Sequence, residues 1–381
     1  MLDESLLDEA AALTRADTGG LLRSVAEAGA RVRTAVRQAA EAGLADLRVD
    51  GRPRGILVAG PAPTAGSLTD LLAALGSGGV PVTCVRVTGP RAEADALRWS
   101  LPGWADSFDL LLLATLDGTE PGLVALAEQA YRRGCTTAAV APPDSPLADA
   151  VTRRHGLTLP PATLPHAHPA APDTPTHGAD PGVLWALLAP LLGLADRVRA
   201  ATAPPSALLG LADRLDQVAE RCGPVHATYD NPAKTLATEL DGALPLLWTE
   251  GRVAAAAGRH AVTTLTALTG RPALAAELPE ALRLHHGLLT GAFAAGADPD
   301  DLFRDRVEEP PALRARVVLL GDPTPVADSA APAARETALT HGVPVSEVRA
   351  DEGDDPLRAA AELLATMDYA AVYLALASAG R

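Results

Sequence analysis

Arg54-Gly55-Ile56-Leu57-Val58-Ala59-Gly60-Pro61-Ala62-Pro63-Thr64-Ala65 reads as a strand, a tight turn and the start of a helix. The run Gly55 to Ala59 is apolar throughout, too short for a buried helix and long enough for a strand covered on both faces. Gly60, Pro61 and Pro63 punctuate the turn. From Thr64 the apolar positions recur at helical spacing through residue 75. Working outward, similar short apolar runs fall at 81–87, 109–115 and 136–141, with a second helical stretch at 120–133. That alternation predicts a parallel, doubly wound sheet over about residues 50–160. Before it, residues 2–16 and 20–47 are rich in Ala, Leu and Arg at helical spacing, which predicts N-terminal helices over 1–49.

Residues 161–224 interrupt the rhythm. Seven prolines between Pro160 and Pro181, interspersed with His166, His168 and His177, predict a connection without regular structure. Helices follow at 183–200 and 205–222, the latter ended by Gly223-Pro224. The alternation then restarts over 225–381, with strands at 243–249, 316–320 and 343–348 and helices at 252–268, 328–341 and 355–380. The predicted fold class is therefore α/β, with two doubly wound, flavodoxin-like domains whose parallel sheets are flanked by helices.

Composition narrows the function. The 381 residues are 48% hydrophobic but only 3% aromatic, so the cores must be built from Ala, Leu and Val. A net charge of −15 opposes binding to nucleic acid or to an anionic membrane surface. It leaves small phosphates open, because helix N-termini and backbone amides bind them locally. Cys84, Cys135 and Cys222 form no CxxC pattern, which predicts neither a disulfide framework nor a zinc site and fits a reducing cytoplasm. The histidines among the prolines lack the ordered support of metal ligands, so neither a metal nor a cofactor is expected. No P-loop or GxSxG occurs, and Gly60 alone is only a fragment of a dinucleotide fingerprint. The mixed charge run 303–309 reads as a solvated surface.

The order of several motifs resembles the bacterial and archaeal bifunctional phosphoglucose/phosphomannose isomerases, proteins built from two SIS domains. These motifs are Asn231-Pro232-Ala233-Lys234, Leu244-Pro245-Leu246-Leu247-Trp248, Gly258-Arg259, Leu278-Pro279-Glu280 and the segment from Met367 to Ala375. The turn at 60–65 and the loop Thr115-Leu116-Asp117-Gly118-Thr119-Glu120 resemble the family's two phosphosugar loops. The resemblance implies a phosphorylated sugar as ligand, aldose–ketose isomerisation as the chemistry and a homodimer as the assembly. It places phosphate-binding hydroxyls at Thr64, Ser67, Thr115 and Thr119, and it makes His286 with Glu280 the candidates for ring opening. It also exposes departures. Asp117 stands where the family has another hydroxyl, Pro61 and Pro63 remove two amide donors, and the position of the C1–C2 base is Ala267, whose methyl accepts no proton. Two readings follow: a working isomerase with a different base, or a non-catalytic sugar-phosphate-binding or regulatory protein.

Overall fold

The computed structural model describes residues 3–46, 51–91, 93, 95–163, 180–291, 293, 313–323, 329–351 and 353–378. Two compact units emerge: Arg23–Asp216, and Met1–Leu22 together with Gln217–Arg381.

The first unit is built on five parallel strands, β1 (Gly55–Ala59), β2 (Val82–Cys84), β3 (Asp109–Ala114), β4 (Thr136–Val140) and β5 (Leu157–Leu159), in the spatial order β2-β1-β3-β4-β5. Every residue of β1 and β3 is buried, as expected of central parallel strands covered by helices on both faces. Their register pairs Gly55 with Asp109 and Ala59 with Leu113. Helices Thr64–Leu75, Pro121–Arg132 and Pro146–Thr152 follow β1, β3 and β4. One core cluster joins Leu57, Leu111 and Leu113 of the sheet to Leu123, Leu126 and Leu147 of these helices.

The second unit repeats the plan with four parallel strands, β6 (Ala243–Glu250), β7 (Leu274–Glu277), β8 (Arg314–Gly321) and β9 (Val345–Arg349), in the order β7-β6-β8-β9. In each sheet the first strand of the unit therefore lies between its second and third, which creates a switch point at the carboxyl ends of β1/β3 and of β6/β8. Gly258, in helix Arg252–Thr269, lets that helix approach β6: a Cβ there would lie 2.6 Å from the Thr249 methyl. Helix Pro356–Ser378 is long and apolar enough to cross a bilayer, yet 94% of its most apolar window is buried inside the protein, where it serves as a core helix.

The predicted strands and most helices appear within a few residues of their expected bounds. The N-terminal region is more broken than its periodicity suggests: among the described residues, four helices, Glu4–Asp8, Ala10–Ala16, Leu21–Ala26 and Ala28–Glu41, stand where one or two are expected. Asp17 explains one break, because its carboxylate accepts from the amides of Leu21 and Leu22 and starts a new helix there. β5, β7 and helices Pro146–Thr152 and Pro232–Leu240 are additions to the predicted elements. The two strands have three and four residues, too short for a period to show. Most of the proline-rich connection, with its three histidines, and the 303–309 charge run lie outside the described residues.

Candidate functional site

At the first switch point Gly60 closes the turn against β3, since a Cβ would sit 2.2 Å from the Ala114 carbonyl oxygen. Helix Thr64–Leu75 starts immediately beyond. Its early amides are turned inward: Ala65 donates to Pro61 O at 3.2 Å and Gly66 to Pro63 O at 3.0 Å. Pro63, at the N-cap, makes no side-chain capping hydrogen bond. The half-buried Thr64 hydroxyl, at the helix's first position, has no hydrogen-bond partner among the described residues. Ser67 is buried one turn further in.

The facing loop is organised by carboxylates. Thr115 is buried and donates its hydroxyl to Glu120 Oε1 at 2.7 Å, while the same hydroxyl oxygen accepts from the amides of Asp117 and Gly118 at 3.2 Å each. Glu120 is 3% exposed and its Oε2 finds no partner among the described residues. Thr119, on the surface, donates to Asp117 Oδ2 at 2.7 Å. Two of the four hydroxyls expected to hold phosphate are thus committed to the protein's own acids. Gly118, with φ of 73°, passes so close to Ser145 that a side chain would collide with it.

The second switch point is already filled. Asp322, just past β8, accepts from the amides of Val253 at 3.1 Å and Ala254 at 2.6 Å, at the N-terminus of helix Arg252–Thr269. Those amides and the helix dipole would otherwise attract an external anion. Gly251, with φ of 105°, admits the carboxylate; a Cβ would lie 2.3 Å from Asp322 Cγ. Burial outweighs these hydrogen bonds and holds the Asp322 pKa above the usual carboxylate value. Glu250, ending β6, likewise binds the Ser329 hydroxyl and the Ala330 amide at the start of helix Ala331–Thr340. The signal in the sequence is an acid beside a glycine at each strand end, Glu250-Gly251 and Gly321-Asp322.

The acid–base candidates do not converge. Of this pair His285, not His286, is buried: Trp248 Nε1–H donates to its Nδ1 at 2.9 Å. His286 is exposed and meets the His341 ring edge-on at 5.6 Å between centroids. Glu280 lines a hollow of about 420 Å³ beside the Arg259–Glu277 ion pair, and neither histidine lines it. Ala267 is exposed on helix Arg252–Thr269.

Burial lowers the His285 pKa below the ordinary histidine value. A base depressed in the folded state contributes its full stability above its unfolded pKa of about 6.5, and that contribution shrinks as pH falls below it. Urea unfolding between about pH 7 and pH 5 is expected to show a steeper acid-side loss for the natural chain than for His285→Gln, whose amide oxygen can still accept from Trp248. Parallel slopes would refute the assignment.

The most family-like motif is structural. Asn231 caps helix Pro232–Leu240 through the amides of Ala233 and Lys234, both at 3.1 Å. Lys234 is fully buried, and its ammonium donates to the carbonyls of Leu7, Pro224 and His226.

Two parallel sheets flanked by helices, each with its first strand inside, define an α/β protein of the SIS-type fold. Residues 229–379 match the family model described as the bacterial phospho-glucose isomerase C-terminal SIS domain. Among solved structures, the chain is similar to tagatose-6-phosphate ketose/aldose isomerase from Escherichia coli, at 16% identity and TM-score 0.59 over 95% of this chain and 94% of that one. It is similar to a hypothetical protein from Thermus thermophilus at 15% identity and TM-score 0.59, over 98% and 89% of the two chains. The C-terminal domain of glucosamine-fructose-6-phosphate aminotransferase from Francisella tularensis aligns at 12% identity and TM-score 0.53, over 95% and 97%. These likenesses establish the fold. None of the curated proteins matches the sequence.

Proposed function

We propose that this chain binds a phosphorylated sugar at the switch point of the Arg23–Asp216 unit and does not interconvert aldose and ketose there. The observation that carries the binding reading is Thr64: a half-buried hydroxyl without a partner among the described residues, at the first position of a twelve-residue helix, at the carboxyl end of β1. The positive end of this helix's dipole and the Thr64 hydroxyl, rather than its engaged first amides, favour phosphate here, and the Asp322 carboxylate leaves the second unit's equivalent less suited to it. The motif order and the phosphosugar names carried by the structural relatives point to the same ligand class.

The absence of turnover rests on the acid–base groups. A proton cannot move between C1 and C2 without a positioned base, and Ala267 supplies none. His286 packs on His341 at the surface, and the buried His285 is held by Trp248. The homodimer is part of this reading through the family resemblance, and sedimentation reads it directly.

Thermal-shift titration with glucose-6-phosphate, mannose-6-phosphate and fructose-6-phosphate tests binding. A ligand at a hundred times its Kd stabilises the native state by about 2.7 kcal/mol, and Thr64→Val is expected to remove most of the shift. No shift at millimolar ligand refutes binding. In a coupled assay, isomerase turnover abolished by His286→Ala would overturn the non-catalytic reading while leaving the binding reading intact.

A further inference from the structure

The two sheets follow one plan, and among the described residues the second stops a strand short. β7, β6, β8 and β9 take the places of β2, β1, β3 and β4. In the first sheet the outer edge of β4 is occupied by β5, with Ala138 beside Leu157 and Val140 beside Leu159. In the second, β9 pairs with β8 alone among the described residues. Val317 N–H donates to Pro344 O and Ala350 N–H to Gly321 O, so the even-numbered backbone groups of this stretch point at β8. Those of Val345, Glu347 and Arg349 point away from it and have no main-chain partner among the described residues. A hollow of about 550 Å³ is lined by every residue of β9, with Glu239 of helix Pro232–Leu240 and Thr366 of helix Pro356–Ser378 across it. The strand therefore borders open space.

An open edge invites a further strand, and proteins blunt such edges by keeping them short or by charging them. β2, β5 and β7, the other edge strands, have three, three and four residues, whereas β9 has five. Its charges are of opposite sign. Glu347 and Arg349 are exposed on one face, and Glu347 pairs with Arg349 and with Arg335 of helix Ala331–Thr340. Val348 is half-buried on the other face. Charges repel a copy of the strand only where they meet their like. Laid antiparallel about Glu347, two such strands would oppose carboxylate to carboxylate. Laid about Val348, each Glu347 falls opposite the partner's Arg349, in the register that also brings their outward amides and carbonyls together.

We propose that β9 pairs with β9 of a second copy of this chain, antiparallel about a two-fold axis at Val348, and so joins two four-stranded sheets into one. Glu347 and the partner's Arg349 exchange both main-chain hydrogen bonds and form a cross-strand ion pair, which the two-fold repeats. Val348 meets the partner's Val348 at a non-hydrogen-bonded position, where opposed Cα atoms lie about 4.5 Å apart. The inference rests on the homodimer of the proposed function and is independent of the sugar-phosphate site.

Sedimentation equilibrium of the full chain, combined with cysteine cross-linking under mild oxidation, tests the register. Val348→Cys is expected to form a disulfide-linked dimer, because that Cα separation falls within the range a disulfide spans. Glu347→Cys alone should not, whereas an equal mixture of Glu347→Cys and Arg349→Cys should; the natural chain controls for its own cysteines. Glu347→Arg should weaken dimerisation at least about tenfold, and adding Arg349→Glu should restore it, with the thermal midpoint of each variant confirming that it folds. A natural chain that stays monomeric at high concentration would overturn both this interface and the homodimer. A dimer that Val348→Cys does not cross-link, or that Glu347→Arg leaves unchanged, would overturn the interface alone. So would a monomer that takes up an extended peptide along β9, which would make the edge a site for another protein's strand.

Discussion

Lys234→Met lowers the unfolding free energy by about 3–5 kcal/mol, the largest single-residue loss expected outside the apolar cores. Lys234 is completely buried, and its Nζ donates to Leu7 O at 2.5 Å, Pro224 O at 2.9 Å and His226 O at 2.6 Å, with the Tyr373 ring centroid 5.4 Å away. Methionine retains the stem's bulk and removes every donor. Three inward-facing carbonyls lose their partner, and each lost bond to a charged group is worth about 1.5–3 kcal/mol before relaxation and water entry recover part of it. Burial lowers the ammonium pKa, so the natural chain already bears a desolvation cost that the carbonyls offset. The same three bonds tie helix Glu4–Asp8 to the segment before Asn231, and Asp8 adds bonds to the amide and hydroxyl of Thr228 at 2.8 Å. Equilibrium urea unfolding measures the effect as a lower midpoint. A loss below about 1 kcal/mol would show that water replaces the ammonium without penalty.

Thr115→Val costs about 2–4 kcal/mol and leaves sugar-phosphate affinity largely unchanged. The hydroxyl makes three bonds at one buried point: it donates to Glu120 and accepts from the amides of Asp117 and Gly118. Valine keeps the shape and orphans all three groups, including a carboxylate in a site that is 3% exposed. Glu120→Gln removes the charge and should recover part of the loss, giving a double-mutant coupling of at least about 1 kcal/mol. If Thr115 instead anchors the phosphate, the substitution abolishes the ligand-induced shift and changes stability little. The two outcomes separate a structural hydroxyl from a binding one in one pair of measurements.

The central strands were legible because their residues are apolar without interruption, Ile56 to Ala59 and Leu110 to Ala114, as burial on both faces requires. Helix Thr64–Leu75 was legible from its spacing and the glycine-proline turn before it. β5 and β7 were not, because three or four residues acquire their conformation from a neighbour's hydrogen bonds and not from their own pattern. The site divides in the same way. Residue identity was enough to show that Ala267 supplies no base and that Asp117 adds charge. It was not enough to choose between His285 and His286, adjacent residues of which one turns into the core against Trp248 and the other out to His341.

What the sequence determined by itself is the α/β class and its one restart, because burial on both faces imposes a composition that each central strand must carry locally. The partners of polar groups were decided only by the tertiary structure. Asp322 reaches the amides of Val253 and Ala254 across 69 and 68 residues, Lys234 reaches Leu7 across 227, and one cavity of the first unit is lined by Arg52, Phe108 and His155 from separate turns. Hydrogen bonds and charge pairing act over a few ångströms in space and are indifferent to separation along the chain, so no local pattern announces them.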